Sequence, residues 1–473
     1  MKLLIISESF NDKYFAIIND IITREKNSDS TTNGVILDIC GYLHPLINLS
    51  SENSLGHTFN PYYSKYMNFV RDFFGNLEFS FHTLERQSKL FENYDKSTLT
   101  QIIDESGTTT LATLFSKSKQ FHEYPRKRRM KLETIIKGLY SEYIELLSNK
   151  SFDRIYIPSG KNAWAIALEK AILLHSPGSE VFYYDAFGSS ETYFCEKYKP
   201  TDLLALQKAI VKRKDLTDEQ IIVATDWFYK QAKSKLQNFY LSSDDFKEDK
   251  TGKKLSYTLF TSSEDEFVGL PKWSESAFDS QYEGLYLAAK FLLEKDPRNT
   301  EVTLRYHPHL KYKSLTDNFK ALFSAIKFKQ LGCTIVLANE RISATSLIEK
   351  SDKVVVWNST VGIESCFMGK QTYHLANAIY APLRTAMLVK EIQDLDQIVE
   401  SHESQKASLL YGYFMATTSF PITTFDFYHG QRFESRYHYL LYGNHRAIRS
   451  RLKLMFNNLI LSVFRFIFLR KLL

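Results

Sequence analysis

Apolar residues in this chain fall in short β-branched runs, separated by longer stretches in which they recur at helical spacing. The clearest case is Ser351–Leu375. Lys353–Trp357 is an apolar run, Asn358-Ser359-Thr360 a hydroxyl-rich turn, and Val361–Met368 a short helix carrying Glu364. Gly369 ends that helix and Gln371–Leu375 starts the next strand. Around it the pattern predicts strands at Leu255–Thr261, Glu301–Tyr306 and Thr334–Ala338. Helices are predicted at Ser280–Glu294, Thr316–Lys327, Ala344–Lys350 and from about Lys390 to Ser401. Strict alternation of this kind indicates βαβ units and a parallel, doubly wound sheet.

The first half repeats the pattern less regularly. Strands are predicted at Lys2–Ile6, Gly34–Ile39, Arg154–Pro158 and Glu180–Tyr184. Helices are predicted at Lys13–Thr23, Tyr63–Phe74, Leu132–Leu147, Asn162–Leu174 and within Thr201–Gln237. The polar stretch Ser242–Lys254 has no apolar period and reads as a linker. The expected organisation is a Rossmann-like domain over 1–241, a linker over 242–254, a second Rossmann-like domain over 255–400, and a helical segment over 401–473.

Length allows two or three domains with sizeable cores. A net charge of +6 argues against a dedicated nucleic-acid binder. Cys40, Cys195, Cys333 and Cys366 form no CxxC pair, so no metal motif is visible and a reducing compartment is expected. The start, MKLLIISES, turns polar at Ser7 and reads as a strand, not an export signal. Arg446–Leu473 interleaves seven Arg and Lys with Leu, Ile, Phe and Val. It falls short of the roughly 20 clean apolar residues of a span and fits a basic amphipathic helix on an anionic membrane surface. The run Pro125–Arg129 reads as a solvated helix start, with a patch for anionic lipid or a phosphorylated acceptor as the alternative.

Candidate chemistry sits at strand ends, where open α/β sheets bind ligands. A strand that delivers Ser359 and Thr360 to a helix start offers hydroxyls and amide N–H groups to a phosphate, and an ordinary N-cap looks the same. Glu364 lies one turn further and is placed to accept ribose hydroxyls. His307, followed by Pro308, ends another strand and can stabilise charge on a leaving phosphate. Ser262, Ser263, Glu264, Asp265 and Glu266 close the first strand of the second domain, as a solvated or a substrate-contacting loop and as a weak metal motif. In the first half, Glu8, Asp185 and Asp38 are candidate bases, with Asp185 favoured, and Ser159-Gly160-Lys161 is a further strand-end loop for acceptor or donor. Absence of Walker, GxGxxG, HExxH and GxSxG patterns removes most ATPase, dehydrogenase, zinc-protease and hydrolase readings.

RYHPHL followed by SDKVVVWNSTVGIESCFMGKQTYHL resembles the carboxyl-terminal half of bacterial capsule and lipopolysaccharide glycosyltransferases of the GT-B fold. The His-Pro and Ser-Thr pairing is similar to that of sialic acid and Kdo transferases that use CMP-sugars, and RIYIPSGKNAWAIALEKA resembles their first-domain pattern. Where that family often has Asn-Gly-Arg this chain has Ser159-Gly160-Lys161, and its acidic dyad followed by Gly is not present in that form. The resemblance implies two domains facing a cleft, with His307, Ser359 and Thr360 on the donor phosphate. It implies transfer from a nucleotide-sugar to a glycan or lipid-linked acceptor, with no metal or other cofactor and no nucleic acid. The place implied is the cytoplasmic, inner face of a bacterial membrane. A CDP-alditol phosphotransferase of teichoic-acid type and a non-catalytic glycan-binding scaffold are the alternatives.

Overall fold

The computed structural model describes residues 1–7, 12–28, 34–39, 78–81, 96–115, 120–186, 192–213, 215–238, 254–273, 275–313, 315–398 and 401–422. The expected helix at 63–74, the stretch 242–253, Glu8, Cys40 and the tail 446–473 lie outside them. The chain forms two compact units. The first comprises Met1–Thr201, Val268–Leu270 and Ser419–Lys453, and the second Asp202–Phe267, Pro271–Thr418 and Leu454–Leu473. The division therefore falls at residue 201, not within 242–254, and the helices expected in the first domain after Thr201 belong to the second unit. Residues 401–418 join the second unit too, so the boundary expected at 400 also moves.

In the first unit the strands are β1 (Lys2–Ser7), β2 (Gly34–Ile39), β3 (Glu78–Phe81), β4 (Arg154–Pro158), β5 (Glu180–Ala186), β6 (Thr192–Glu196) and β13 (Ser419–Pro421). Their order is β13-β6-β5-β4-β1-β2-β3. The β3-β2-β1-β4-β5 portion is parallel, in the doubly wound order, and β6 adds to it antiparallel. The helices are α1 (Asp12–Ser28), α2 (Lys96–Phe115), α3 (Arg126–Asn149) and α4 (Ala163–His175). Because strand side chains alternate faces, Leu3 and Ile5 pack on α1 with Ile17 and Ile21, whereas Leu4 and Ile6 pack on α2, α3 and α4 with Ile102, Ile136 and Leu168. Two buried faces explain why these strands are continuously apolar.

The second unit contains α5 (Leu203–Val211), α6 (Asp218–Asn238), β7 (Leu255–Phe260), α7 (Gln281–Lys295), β8 (Thr300–Arg305), α8 (Leu315–Gln330) and β9 (Thr334–Val336). It continues with α9 (Ala344–Lys350), β10 (Lys353–Val356), α10 (Val361–Phe367), β11 (Gln371–His374), β12 (Met387–Leu388) and α11 (Ser401–Thr418). All five strand pairings are parallel, in the order β12-β11-β10-β7-β8-β9. Val355 and Trp357 face α7 and α8, while Val354 and Val356 face α9. The helix expected over 390–401 is instead a 3-10 segment at Ile392–Asp396, opened by a capping box between Glu391 and Asp394, and α11 begins at Ser401. Phe228 of α6 stacks on Phe367 of α10 with centroids 4.1 Å apart, and Trp227 meets Tyr411 of α11 edge-on. Such aromatic contacts bind α6 into this unit. Among the described residues no helix is long and apolar enough to cross a membrane.

Candidate functional site

The strand order of the second unit reverses between β7 and β10, and ligands of such sheets bind outside the carboxyl ends at that switch point. Three singled-out loops follow three adjacent strands there: Thr261–Ser263 after β7, Tyr306–Pro308 after β8, and Trp357–Thr360 after β10. They are stitched together. The His307 N–H donates to Thr261 Oγ1 (2.8 Å), the Asn358 N–H to Ser262 Oγ (3.4 Å), and the Ser262 N–H to Gln281 Oε1 at the start of α7 (2.9 Å). Ser262 and Ser263 are buried, and the Ser262 hydroxyl holds the Asn358 amide.

His307 is half-buried. Its Nδ1 accepts the His309 N–H at 3.3 Å, which leaves Nε2 as the proton-bearing nitrogen of the neutral ring. Burial first, then the neighbouring His309, push the imidazole down to about 4, so the ring is neutral near pH 7. Pro308 opens a 3-10 segment, Pro308–Tyr312, as its first residue, where its missing N–H costs nothing. The preceding Arg305 is buried and turned away, donating to the Leu337 carbonyl and, at 3.2 Å, to that of Glu340. Glu264–Glu266 form one 3-10 turn behind Ser263, and His309 Nδ1 lies 3.6 Å from Glu266 Oε1. Among the described residues no group of three or more His, Cys, Asp or Glu is placed to hold a metal ion.

Ser359 is half-buried and Thr360 exposed. Thr360 occupies the cap position of α10 but makes no side-chain cap bond; Ser359 Oγ accepts the Val361 N–H instead, at 3.3 Å. Glu364 lies on α10, half-buried, in the turn after them. Two residues absent from the sequence reading hold this loop. The fully buried Tyr380 donates its hydroxyl to the Ser359 carbonyl at 2.9 Å. It can reach there because residue 362 is glycine: a Cβ would meet the Tyr380 hydroxyl, lie 2.9 Å from its Cζ and 3.0 Å from Val356 Cγ2. The only sequence signal was a glycine inside a helix, a position that disfavours it.

In the first unit the sheet reverses between β1 and β4, and Ser159 follows β4. Ser159 adopts φ 56° and Gly160 φ 72°, and left-handed geometry at a non-glycine residue is strained. The Ser159 hydroxyl is buried with no partner among the described residues. A Cβ at Gly160 would lie 2.9 Å from Tyr183 and 3.0 Å from Lys199, whose ammonium pairs with Glu169 at 2.8 Å. Lys161 is half-buried. Asp185 lies within β5, one residue short of its end, and its Oδ1 accepts the Tyr14 hydroxyl (2.6 Å) and the Ala186 N–H (2.7 Å). Asp38 lies on β2.

The neutrality of His307 carries a pH prediction. Its unfolded value is near 6.5 and its folded value about 4, so the unfolded chain takes up the proton first. The stability it contributes is present above 6.5 and is lost as pH falls toward 4. Denaturant unfolding of wild type and His307→Gln, at about pH 7 and about pH 5, should show the wild type losing more stability; equal losses would exclude the burial of a neutral ring.

Residues 209–387 match the family model described as "Capsule polysaccharide biosynthesis protein". That span holds β7–β11 and all three loops. No curated protein matches the chain. Solved structures with a similar trace include the beta Kdo 2,4 transferase of Thermosulfurimonas dismutans KpsC (12% identity, 54% of this chain, 79% of that chain, TM-score 0.35). The beta Kdo 2,7 transferase of the same protein is similar at 11% identity, 78% and 92% coverage and TM-score 0.36. UDP-GlcNAc 2-epimerase from Neisseria meningitidis, bound to UDP-GlcNAc, is similar at 12%, 88% and 97%, and 0.34. At these identities and scores the likenesses decide nothing about activity. The capsule-biosynthesis match instead coincides with the strand-end cluster around His307 and Ser359.

Proposed function

We propose that the protein is a glycosyltransferase of capsule polysaccharide synthesis, moving a sugar from a nucleotide-activated donor to a glycan or lipid-linked acceptor. Two doubly wound units are what a GT-B enzyme requires. The observation that carries the reading is the cluster at the β7–β10 switch point, inside the family-matched span, with a neutral imidazole donor beside a hydroxyl loop. The donor is a CMP-sugar such as CMP-Kdo or CMP-sialic acid. His307 Nε2–H and the Ser359 and Thr360 hydroxyls meet the phosphate as its charge grows, and Glu364 takes the ribose hydroxyls. Asp185, oriented by Tyr14, receives the acceptor hydroxyl proton, and Ser159, Gly160 and Lys161 line the acceptor side. The enzyme works at the inner face of a bacterial membrane, with protein groups in place of a metal.

Thermal unfolding with CMP, UDP, GDP and CDP-glycerol tests the donor. CMP at a hundred times its dissociation constant should stabilise the chain by about 2.7 kcal/mol, since it binds only the folded state. A rise with UDP or CDP-glycerol and none with CMP would replace the CMP-sugar reading, and no rise with any would sink the nucleotide site.

A further inference from the structure

The first turn of α3 holds a second feature, independent of the donor reading. Arg126, Lys127, Arg128, Arg129 and Lys131 put five cations into six residues, nearly the whole chain's net excess of +6 in one turn and a half. They stand at the wrong end of the helix for its stability. The amino end of a helix carries partial positive charge, and each cation there costs up to about 1 kcal/mol. No acid occupies that first turn, and no side chain caps it. The nearest preceding acid, Glu123, is taken up by the Gln120 N–H in its own capping box, at 2.5 Å.

Arg126 and Lys127 are exposed and have no ion pair or hydrogen bond among the described residues. Arg129 lies with its guanidinium 5.8 Å from the Phe121 ring, its Nε buried without a partner. Between these cations Met130 is 52% exposed. One helical turn on from Arg126, it shares that residue's side of α3. An exposed apolar side chain beside the unpaired Arg126 and Lys127 is matched by a surface that is anionic at the headgroups and apolar just beneath. A soluble anionic polymer would answer the charge and leave Met130 in water.

We infer that the first turn of α3 is a membrane-docking patch, in which Arg126, Lys127 and their neighbours engage anionic phospholipid headgroups while Met130 enters the interface. The test uses the full chain and vesicles of phosphatidylcholine, with and without about 30% phosphatidylglycerol. Binding is expected only to the anionic vesicles and is expected to be lost in ~1 M salt, where the Debye length falls to about 3 Å. Arg126→Gln with Lys127→Gln should weaken it roughly thirtyfold, from about 1 kcal/mol per basic residue. Because both side chains are exposed and unpaired and stand at the amino end of the helix, the melting temperature should hold or rise, not fall. Met130→Ser should weaken binding while leaving its salt dependence intact. Unchanged vesicle affinity in the double variant overturns the proposal, as does equal binding to neutral vesicles. So does a double variant that loses affinity for a soluble anionic polysaccharide but keeps it for vesicles.

Discussion

Replacing His307 with alanine is expected to lower kcat by on the order of a hundredfold or more, with a much smaller change in donor KM. The expectation follows from what the ring can do. Its Nδ1 is occupied by the His309 N–H, so only Nε2–H is left to donate. Burial keeps the ring neutral, so it adds no fixed charge to the resting site. Such a donor gains most when the phosphate oxygen gains charge, that is, in the transition state. The backbone of residue 307 is held separately, by its N–H on Thr261 Oγ1, so the side chain can be cut back without releasing the loop. Single-turnover rates with the donor identified by thermal unfolding would check this. A variant that turns over at the wild-type rate removes His307 from the chemistry and favours a non-catalytic glycan-binding role.

The second large effect is on stability. Gly362→Ala puts a Cβ against the Tyr380 hydroxyl and within 2.9 Å of its Cζ, and Tyr380 is fully buried with that hydroxyl bound to the Ser359 carbonyl. Overpacking a filled site costs about 1–3 kcal/mol. Tyr380→Phe alone removes one hydrogen bond, about 1 kcal/mol, and leaves the Ser359 carbonyl its bond from the Gly362 N–H at 3.0 Å. In the double variant the clashing oxygen is gone, so the two losses should fall short of their sum. Urea unfolding of the four proteins in that cycle decides it. Strict additivity would mean that Tyr380 and Gly362 do not share one space.

β1, β2, β4, β5 and β7–β11 were legible as apolar runs, most clearly where both faces are buried: KVVV at β10 and TEVTLR at β8 were placed to within a residue. His307, Ser359 and Thr360 were legible as strand-end residues for the same reason. β3, β6, β12 and β13 were not legible: all are short, and the edge strand β13 (SFP) pairs antiparallel with β6, which lies far earlier in the chain. Nor could sequence divide the units. The polarity of 242–254 looked like a boundary, yet α6 is committed to the second unit by Phe228 and Trp227, whose partners Phe367 and Tyr411 come much later. Tyr380 was missed for a like reason. It works through a hydroxyl aimed at a carbonyl 21 residues earlier, and no local period announces that.

The place of β13 has a consequence for synthesis. Ser419–Pro421 completes the first unit's sheet by pairing with β6, more than two hundred residues after β6 has left the ribosome. At about 5–20 residues per second, that edge waits roughly 10–50 s for its partner, while most of the second unit is being made. Through that interval β6 presents unpaired N–H and C=O groups, the surface on which strands of other chains add. The nascent chain must therefore be guarded or kept apart from its copies until residue 421 emerges, and a fragment that stops before Ser419 carries the open edge permanently.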